Sequence, residues 1–430
     1  MTEVGIGLTA LLVLAFLRVP IAFAMAIVGF LGMAWVGNPV AAMYNVGQTA
    51  FDAAINYELS VVPLFILMGN LVARAGLAHE LYNASYAFLG HRRGGLAMAT
   101  VVACGGFSAI CGSSLATAAT MSKVAMPSMR RFGYSDRLAA GSIAAGGTLG
   151  ILIPPSVLLV IYGILTQQSI GKLFAAGIIP GIIGVLLYLA AVRWTVWRDP
   201  ESGPKGDRMT WKERFVTLRS VWGVLLLFVL VMGGIYMGVF SPTEAAGIGA
   251  MGAFIFAIVR RSLDRKALFD IFLESASTTA MLFTVLIGAL LFANFVNLTT
   301  FPQALVEIAR QFEDTPWLVI LAIILIYLAM GCVFESMSMI LLTVPIFYPL
   351  VAQLGYDPIW FGILVVIVTE ISLITPPVGL NVFVLRGVLP DVPTGTIFRG
   401  VTPFWISDLV RLALIAGVPG LSLWLAGMVA

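Results

Sequence analysis

Two polar islands in an otherwise apolar chain hold the residues suited to chemistry, and one island repeats the other. The first joins Cys111-Gly-Ser-Ser114 to Gly146-Gly-Thr-Leu-Gly150-Ile-Leu-Ile-Pro-Pro-Ser156. The second joins Val333-Phe-Glu-Ser336 to Thr369-Glu-Ile-Ser-Leu-Ile-Thr-Pro-Pro-Val-Gly-Leu-Asn381. Both offer hydroxyls and backbone carbonyls with few formal charges. Neutral oxygens of this kind suit a weakly held hard cation such as Na⁺, which must be released in each cycle. Helix N-termini facing the same spot would offer N–H groups and positive dipole ends to an anionic substrate.

The repeat is strict. Pro127, Gly133-Tyr134 and Pro154-Pro155 are answered 222 residues later by Pro349, Gly355-Tyr356 and Pro376-Pro377, and Ser114/Ser336 and Pro20/Pro242 keep the same interval. A double proline breaks a helix by removing N–H donors and clashing with the preceding turn. In lipid, the freed carbonyls persist only where they are buried in protein or line a cavity. Matched breaks in the two halves of a membrane chain point to the binding centre of a secondary transporter.

The surrounding elements must therefore span a bilayer, and the composition agrees. The chain is 60% hydrophobic and only 10% charged, too few charges for a soluble protein of this length. Spans need about 20 apolar residues. Suitable stretches run near 4–17, 20–36, 60–75, 137–166, 173–192, 220–239, 243–259, 277–296, 358–389 and 405–428. The N-terminus lacks a basic n-region and cleavage site, so its apolar stretch reads as a retained helix. Stretches 38–57, 77–90, 262–275 and 300–313 mix polar and apolar residues and read as interfacial arms. The nine tryptophans fall mostly near segment ends, as an aromatic belt would.

Regions 94–129 and 316–351 are long and apolar with small or polar centres, and each reads either as a re-entrant hairpin or as a plain spanning helix. Charge placement favours hairpins. Lys and Arg mark cytoplasmic loops, and the polar stretch 193–219 holds Arg193, Arg198, Lys205, Arg208, Lys212, Arg214 and Arg219. With hairpins, Arg18, Arg74, Arg92, Arg93, Lys123, Arg130, Arg131, Arg137, Arg260, Arg261, Arg265, Lys266, Arg386 and Arg399 fall inside as well. Only Lys172 and Arg310 are left outside, beside Asp52, Glu58, Glu307, Glu313, Asp314 and Asp357.

The expected fold is an all-α polytopic membrane protein of inverted-repeat, elevator type, with both termini outside. The first repeat covers 1–192, with scaffold helices 1–75, an arm 77–90, a hairpin 94–129 and a broken helix 137–166. A cytoplasmic linker follows at 193–219. The second repeat covers 220–430, with scaffold helices 220–296, a hairpin 316–351 and a broken helix 358–389.

Other features are weighed residue by residue. Glu335 and Glu370 lie in apolar segments, where carboxylates are costly; each either carries a proton or is neutralised by a structural partner. Glu244, in Ser241-Pro-Thr-Glu-Ala-Ala-Gly, reads as fixing an interhelical contact. Cys104, Cys111 and Cys332 lack metal or redox spacing and read as packing. His79 and His91 are too isolated for a metal site. No GxSxG elbow, zinc-protease motif or ATP-binding loop occurs, so no enzyme activity is expected. Energy would come from an ion gradient or from another chain.

Gly105-Gly-Phe-Ser-Ala-Ile-Cys-Gly-Ser-Ser-Leu-Ala-Thr117, Gly150-Ile-Leu-Ile-Pro-Pro-Ser156 and Ile374-Thr-Pro-Pro-Val-Gly-Leu-Asn381 resemble the large membrane subunit of tripartite ATP-independent periplasmic (TRAP) transporters. The likeness runs nearly end to end, through Ser241-Pro-Thr-Glu-Ala-Ala-Gly247 and Phe398-Arg-Gly-Val-Thr-Pro403. It implies Na⁺-coupled import of an organic acid, a C4-dicarboxylate or a sialic-acid-like carboxylate, across the bacterial inner membrane by an elevator movement. It also implies two partners, a small four-helix membrane subunit and a soluble periplasmic substrate-binding protein. By the same resemblance, one sodium site would use backbone oxygens near Cys111, Gly150, Ile153 and Pro155. The other would involve Val333, Ser372, Thr375 and Pro377. Ser113, Ser114, Ser336 and Asn381 would line the substrate cavity, and no arginine is placed at mid-membrane to clamp a carboxylate. A stand-alone Na⁺/organic-anion symporter of related architecture is the alternative within transport. A channel or membrane scaffold is the alternative outside it.

Overall fold

Glycine and proline set the helix ends that matter. The computed structural model describes residues 2–312, 314–331 and 334–429. Among these residues the chain is built from twenty-one α-helices with short 3₁₀ turns. The first half runs α1 Thr2–Phe16, α2 Ile21–Val36, α3 Pro39–Ile55, α4 Val61–Arg74 and α5 Leu77–Leu89, then α6 Gly95–Cys111, α7 Ser114–Arg131, α8 Asp136–Thr148, α9 Val157–Thr166 and α10 Ile170–Arg198. A connecting helix, α11 Trp211–Ser220, leads into the second half. There α12 Trp222–Tyr236, α13 Pro242–Val259, α14 Arg265–Asn297 and α15 Phe301–Arg310 precede α16 Pro316–Met330, α17 Ser336–Gln353, α18 Pro358–Ser372 and α19 Leu380–Val388. The last two helices are α20 Thr394–Gly417 and α21 Gly420–Ala426.

The duplication is visible in the element bounds. Helix α7 begins at Ser114 and α17 at Ser336; they end at Arg131 and Gln353. Helix α8 begins at Asp136 and α18 at Pro358, while α9 and α19 end at Thr166 and Val388. Each pair keeps the 222-residue interval of the sequence pattern. Gly133 and Gly355 both take positive φ, at +76° and +78°, a conformation that glycine adopts at no steric cost just past a helix end.

Five described helices are long and apolar enough to cross a membrane, namely α10, α13, α14, α17 and α20, and two bent pairs could add two more. The first helices form a scaffold: α2 lies along α14, and α4 packs on α13 and α14. The crossing of α2 and α14 is close because small residues face backbone. A Cβ on Gly288 would lie 2.2 Å from the Ala22 carbonyl oxygen, and one on Gly29 would lie 2.6 Å from the Leu291 backbone. Small residues at such crossings let helices approach where no hydrophobic force pulls them together in lipid.

The two broken helices pack across the repeats. Helix α19 packs on α7 and α8, and α9 packs on α17, so each half's broken helix rests on the other half's helix pair. Helix α20 lies along α8 with Gly400 against Gly141; a Cβ on Gly400 would lie 2.1 Å from the Arg137 carbonyl oxygen. Gly400→Val must therefore push these helices apart. The expected cost is about 1–3 kcal/mol, read as a lowered melting temperature of the purified chain; an unchanged melting temperature would contradict this packing.

Several expectations need correction. The stretch 262–275 is no separate arm, because α14 runs unbroken from Arg265 to Asn297; it holds no proline and no helix-ending glycine to stop it. The stretch 405–428 is not one span but the end of α20 and all of α21, divided at Val418-Pro419, where proline cannot continue a helix. Glu244 forms a capping box with Ser241, accepting from the Ser241 backbone N–H and hydroxyl at 2.8 Å each. It fixes its own helix start rather than an interhelical contact. Trp360 is buried and donates from Nε1 to the Ile415 carbonyl at 2.9 Å, so it does not join the exposed aromatic belt.

Candidate functional site

The first centre is assembled by two backbone-to-backbone contacts. Helix α6 ends at Cys111, Gly112 turns with φ +63°, and Ser113 caps α7 by accepting from the Ala116 N–H at 3.4 Å. Only a residue without Cβ fits the turn, since one on Gly112 would lie 2.8 Å from the Pro155 carbonyl oxygen. Across the gap, α8 stops at Thr148, a 3₁₀ turn covers Leu149–Ile151, and Pro154-Pro155 follows with a cis peptide bond. Ser156 then caps α9, accepting from the Leu159 N–H at 3.3 Å and donating to the Ile151 carbonyl. Gly150 faces the tip; a Cβ there would lie 2.9 Å from the Ser113 carbonyl oxygen.

The expected first-site residues are thus neighbours, with individual differences. Gly150 and Pro155 meet the tip directly. Cys111 is a buried free thiol whose carbonyl oxygen packs against Gly69 of α4. Ile153 sends its side chain toward Gly105 of α6 and Gly181 of α10. Ser114 is buried, while Ser113 is half-buried.

The second centre repeats this plan in a more open form. Helix α18 ends at Ser372, and the chain runs non-helically through Pro376-Pro377, also cis, to Gly379 at φ +59°. Ser372 donates to the Thr369 carbonyl at 2.7 Å, and Thr375 donates to the Ile371 carbonyl at 3.0 Å. Gly331, at the end of α16, lies so near Ser372 that a Cβ on it would overlap the serine side chain. Val333, expected in this site, and Cys332 lie outside the described residues. Ser336 is buried at the start of α17, and Glu335 caps that helix, accepting from the Met337 and Ser338 N–H groups at 3.0 and 3.2 Å. These are helix-capping bonds to neutral donors. Pro154 and Pro155 are buried, whereas Pro376 and Pro377 are exposed.

Asn381 joins the two centres. It is fully buried and donates from Nδ2 to the Ala144 carbonyl of α8 at 3.0 Å, a tie between repeats that leaves its amide oxygen without a partner among the described residues. Arg130 makes another tie: it pairs with Asp136 at 2.9 Å and with Asp391, just after α19, at 2.5 Å. Hydrogen bonding from Arg130 holds the Asp391 carboxyl below the usual carboxylate range. That tie is complete at neutral pH and weakens as pH falls through the carboxylate range.

Glu370, flagged in the sequence, has partners that a reading of the sequence does not single out, Arg411 and Asp408. Arg411 is fully buried and pairs through Nη2 with Glu370 and, at 2.8 Å, with Asp408. Asp408 also accepts from the Tyr188 hydroxyl at 2.6 Å, and Tyr188 lies 3.1 Å from the Thr148 hydroxyl. Gly184 leaves room for the guanidinium, since a Cβ there would lie 2.3 Å from Nη1. Glu370 therefore has a structural partner. The available signal is Asp408 and Arg411 three residues apart within an apolar helix, where charges are expensive and pair with one another.

Fold and centres together define a polytopic helical membrane protein of duplicated design, its polar residues gathered at two matched helix breaks. A profile of the family described as "Tripartite ATP-independent periplasmic transporter, DctM component" matches residues 8–421. The C4-dicarboxylate TRAP transporter large permease protein DctM of Pseudomonas aeruginosa is 39% identical over 375 residues, covering 87% of each chain. The sialic acid TRAP transporter large permease protein SiaM of Vibrio cholerae is 33% identical, covering 93% of this chain and 97% of its own. In fold, the chain is similar to the YdaH transporter of Alcanivorax borkumensis, with a TM-score of 0.62, 15% identity and 89% coverage of both chains. The chain belongs to the DctM family, the large permease proteins of TRAP transporters.

Proposed function

We propose that this permease imports an organic acid with Na⁺, moving the body that carries both helix breaks against the scaffold of α1–α4 and α12–α14. The observation that carries this reading is the meeting of helix-pair tip and helix break. Gly150 lies on the Ser113 carbonyl and Gly112 on the Pro155 carbonyl, so the Pro155 carbonyl at the break lies beside the N-terminus of α7. Such a place suits a cation ligated by neutral oxygens next to an anionic group held by N–H donors. Cys111, Gly150, Ile153 and Pro155 would serve one sodium ion; Val333, Ser372, Thr375 and Pro377 would serve another. Ser113, Ser114, Ser336 and Asn381 would line the substrate cavity.

The repeats 1–192 and 220–430 would be inverted in the membrane, with both helix pairs re-entrant and both termini periplasmic. Relatives named for C4-dicarboxylate, sialic acid, isethionate and ectoine transport support a small organic acid as substrate, delivered by a soluble periplasmic protein. A relative named as the isethionate permease DctMQ, of which the match covers 63%, supports a second, small membrane component as partner.

Thr375→Ala tests the second sodium site. Its hydroxyl is half-buried at the break and bonds back to its own helix. The variant should insert normally and need several-fold more Na⁺ for half-maximal uptake; an unchanged Na⁺ response would remove Thr375 from the site.

A further inference from the structure

The cluster around Arg411 does more than hold helices together, and its charge count is the reason. Glu370, Asp408 and Arg411 are all fully buried. Two carboxylates face one guanidinium, and among the described residues no other cation pairs with either acid. A single Arg411 nitrogen serves both carboxylates, while Nε and Nη1 and the second Glu370 oxygen have no protein partner among the described residues. Burial of such a group often costs as much as its internal attraction returns, and apolar replacements are often as stable. Stability alone therefore gives no reason for this composition.

Its position does. Through Tyr188 the cluster reaches Thr148, the last residue of α8, two residues before Gly150. Through Glu370 it reaches the end of α18, two residues before Ser372. With both acids ionised, the cluster would place one net negative charge between the two helix breaks, in a medium where charges act at long range. We propose that Glu370, Asp408 and Arg411 form the fixed counter-charge of the two cation centres, drawing Na⁺ into both breaks without ligating it. This rests on reading the breaks as cation sites. Asp408 and Glu370 are then positioning residues that set cation affinity through their field.

The test is a Na⁺ titration of the purified full chain, exchanging choline chloride for sodium chloride at constant ionic strength and reading binding by calorimetry. Asp408→Asn keeps the side chain's shape and an acceptor for Tyr188 but removes one charge. Its half-saturating Na⁺ concentration should rise about tenfold, as expected for a charge roughly 10 Å away at an effective dielectric near 20. Asp408→Glu should restore the value. A purely structural role would instead lower the melting temperature at saturating Na⁺ and leave half-saturation unmoved, and that result overturns the proposal. Should Asp408→Asn not accumulate, Glu370→Gln, which leaves a neutral Asp408–Arg411 pair, carries the same expectation and is decided by the same readout. Wild-type protein that binds no Na⁺ overturns the transport reading together with the counter-charge. Binding in the wild type with no shift in the variant overturns the counter-charge alone.

Discussion

Gly150→Val is expected to abolish most Na⁺-dependent uptake while leaving the protein in the membrane. The added Cβ would meet the Ser113 carbonyl at 2.9 Å and its carbon at 3.0 Å. Both are backbone atoms, so no side chain can swing aside to relieve the contact. Overpacking of this kind costs about 1–3 kcal/mol, and here it is relieved by parting the helix-pair tip from the break. If the two must touch to hold a cation, affinity falls about 10–100-fold, at about 1.4 kcal/mol per decade. Uptake by the purified variant at fixed Na⁺ reads the effect. Full activity would show that the tip–break contact is not part of the binding centre.

Arg411→Met should damage folding rather than transport alone. Methionine roughly fills the space, but Glu370 and Asp408 would be left together, buried, without their guanidinium. Removing one partner from a buried ion pair costs about 3–5 kcal/mol, a large part of the stability of a typical domain. Yield of monodisperse protein and its melting temperature should both fall sharply. Second-site Glu370→Gln should recover part of the loss by removing one stranded charge. A variant as stable as the wild type would mean that the cluster contributes nothing to holding α18 against α20.

Much of the centre is legible in the sequence because proline and glycine act locally. A Pro-Pro pair ends a helix wherever it stands, so the residue order alone locates the breaks near 154 and 376 and their 222-residue spacing. Ser113 marks the start of α7 for a similar reason, since hydroxyl residues favour the capping position. What escapes the sequence depends on partners far along the chain. Glu370 and Arg411 are 41 residues apart, and Tyr188 and Asp408 are 220 apart. Asn381 donates to a backbone carbonyl at Ala144, 237 residues away, a partner that carries no sequence signature. Glu244 is a different case, because its answer is local: Ser241 three residues before a glutamate is a capping box. The unbroken α14 is hidden because a polar stretch leading into an apolar one looks like two elements even when no breaker divides them.

The most direct test of the central claim is uptake into proteoliposomes holding this chain with a small membrane subunit, using a panel of labelled organic acids. Each is assayed with and without an inward Na⁺ gradient and the soluble binding protein. Accumulation that needs both the Na⁺ gradient and the soluble protein is the predicted result. Equal accumulation after Na⁺ is replaced by choline would contradict it.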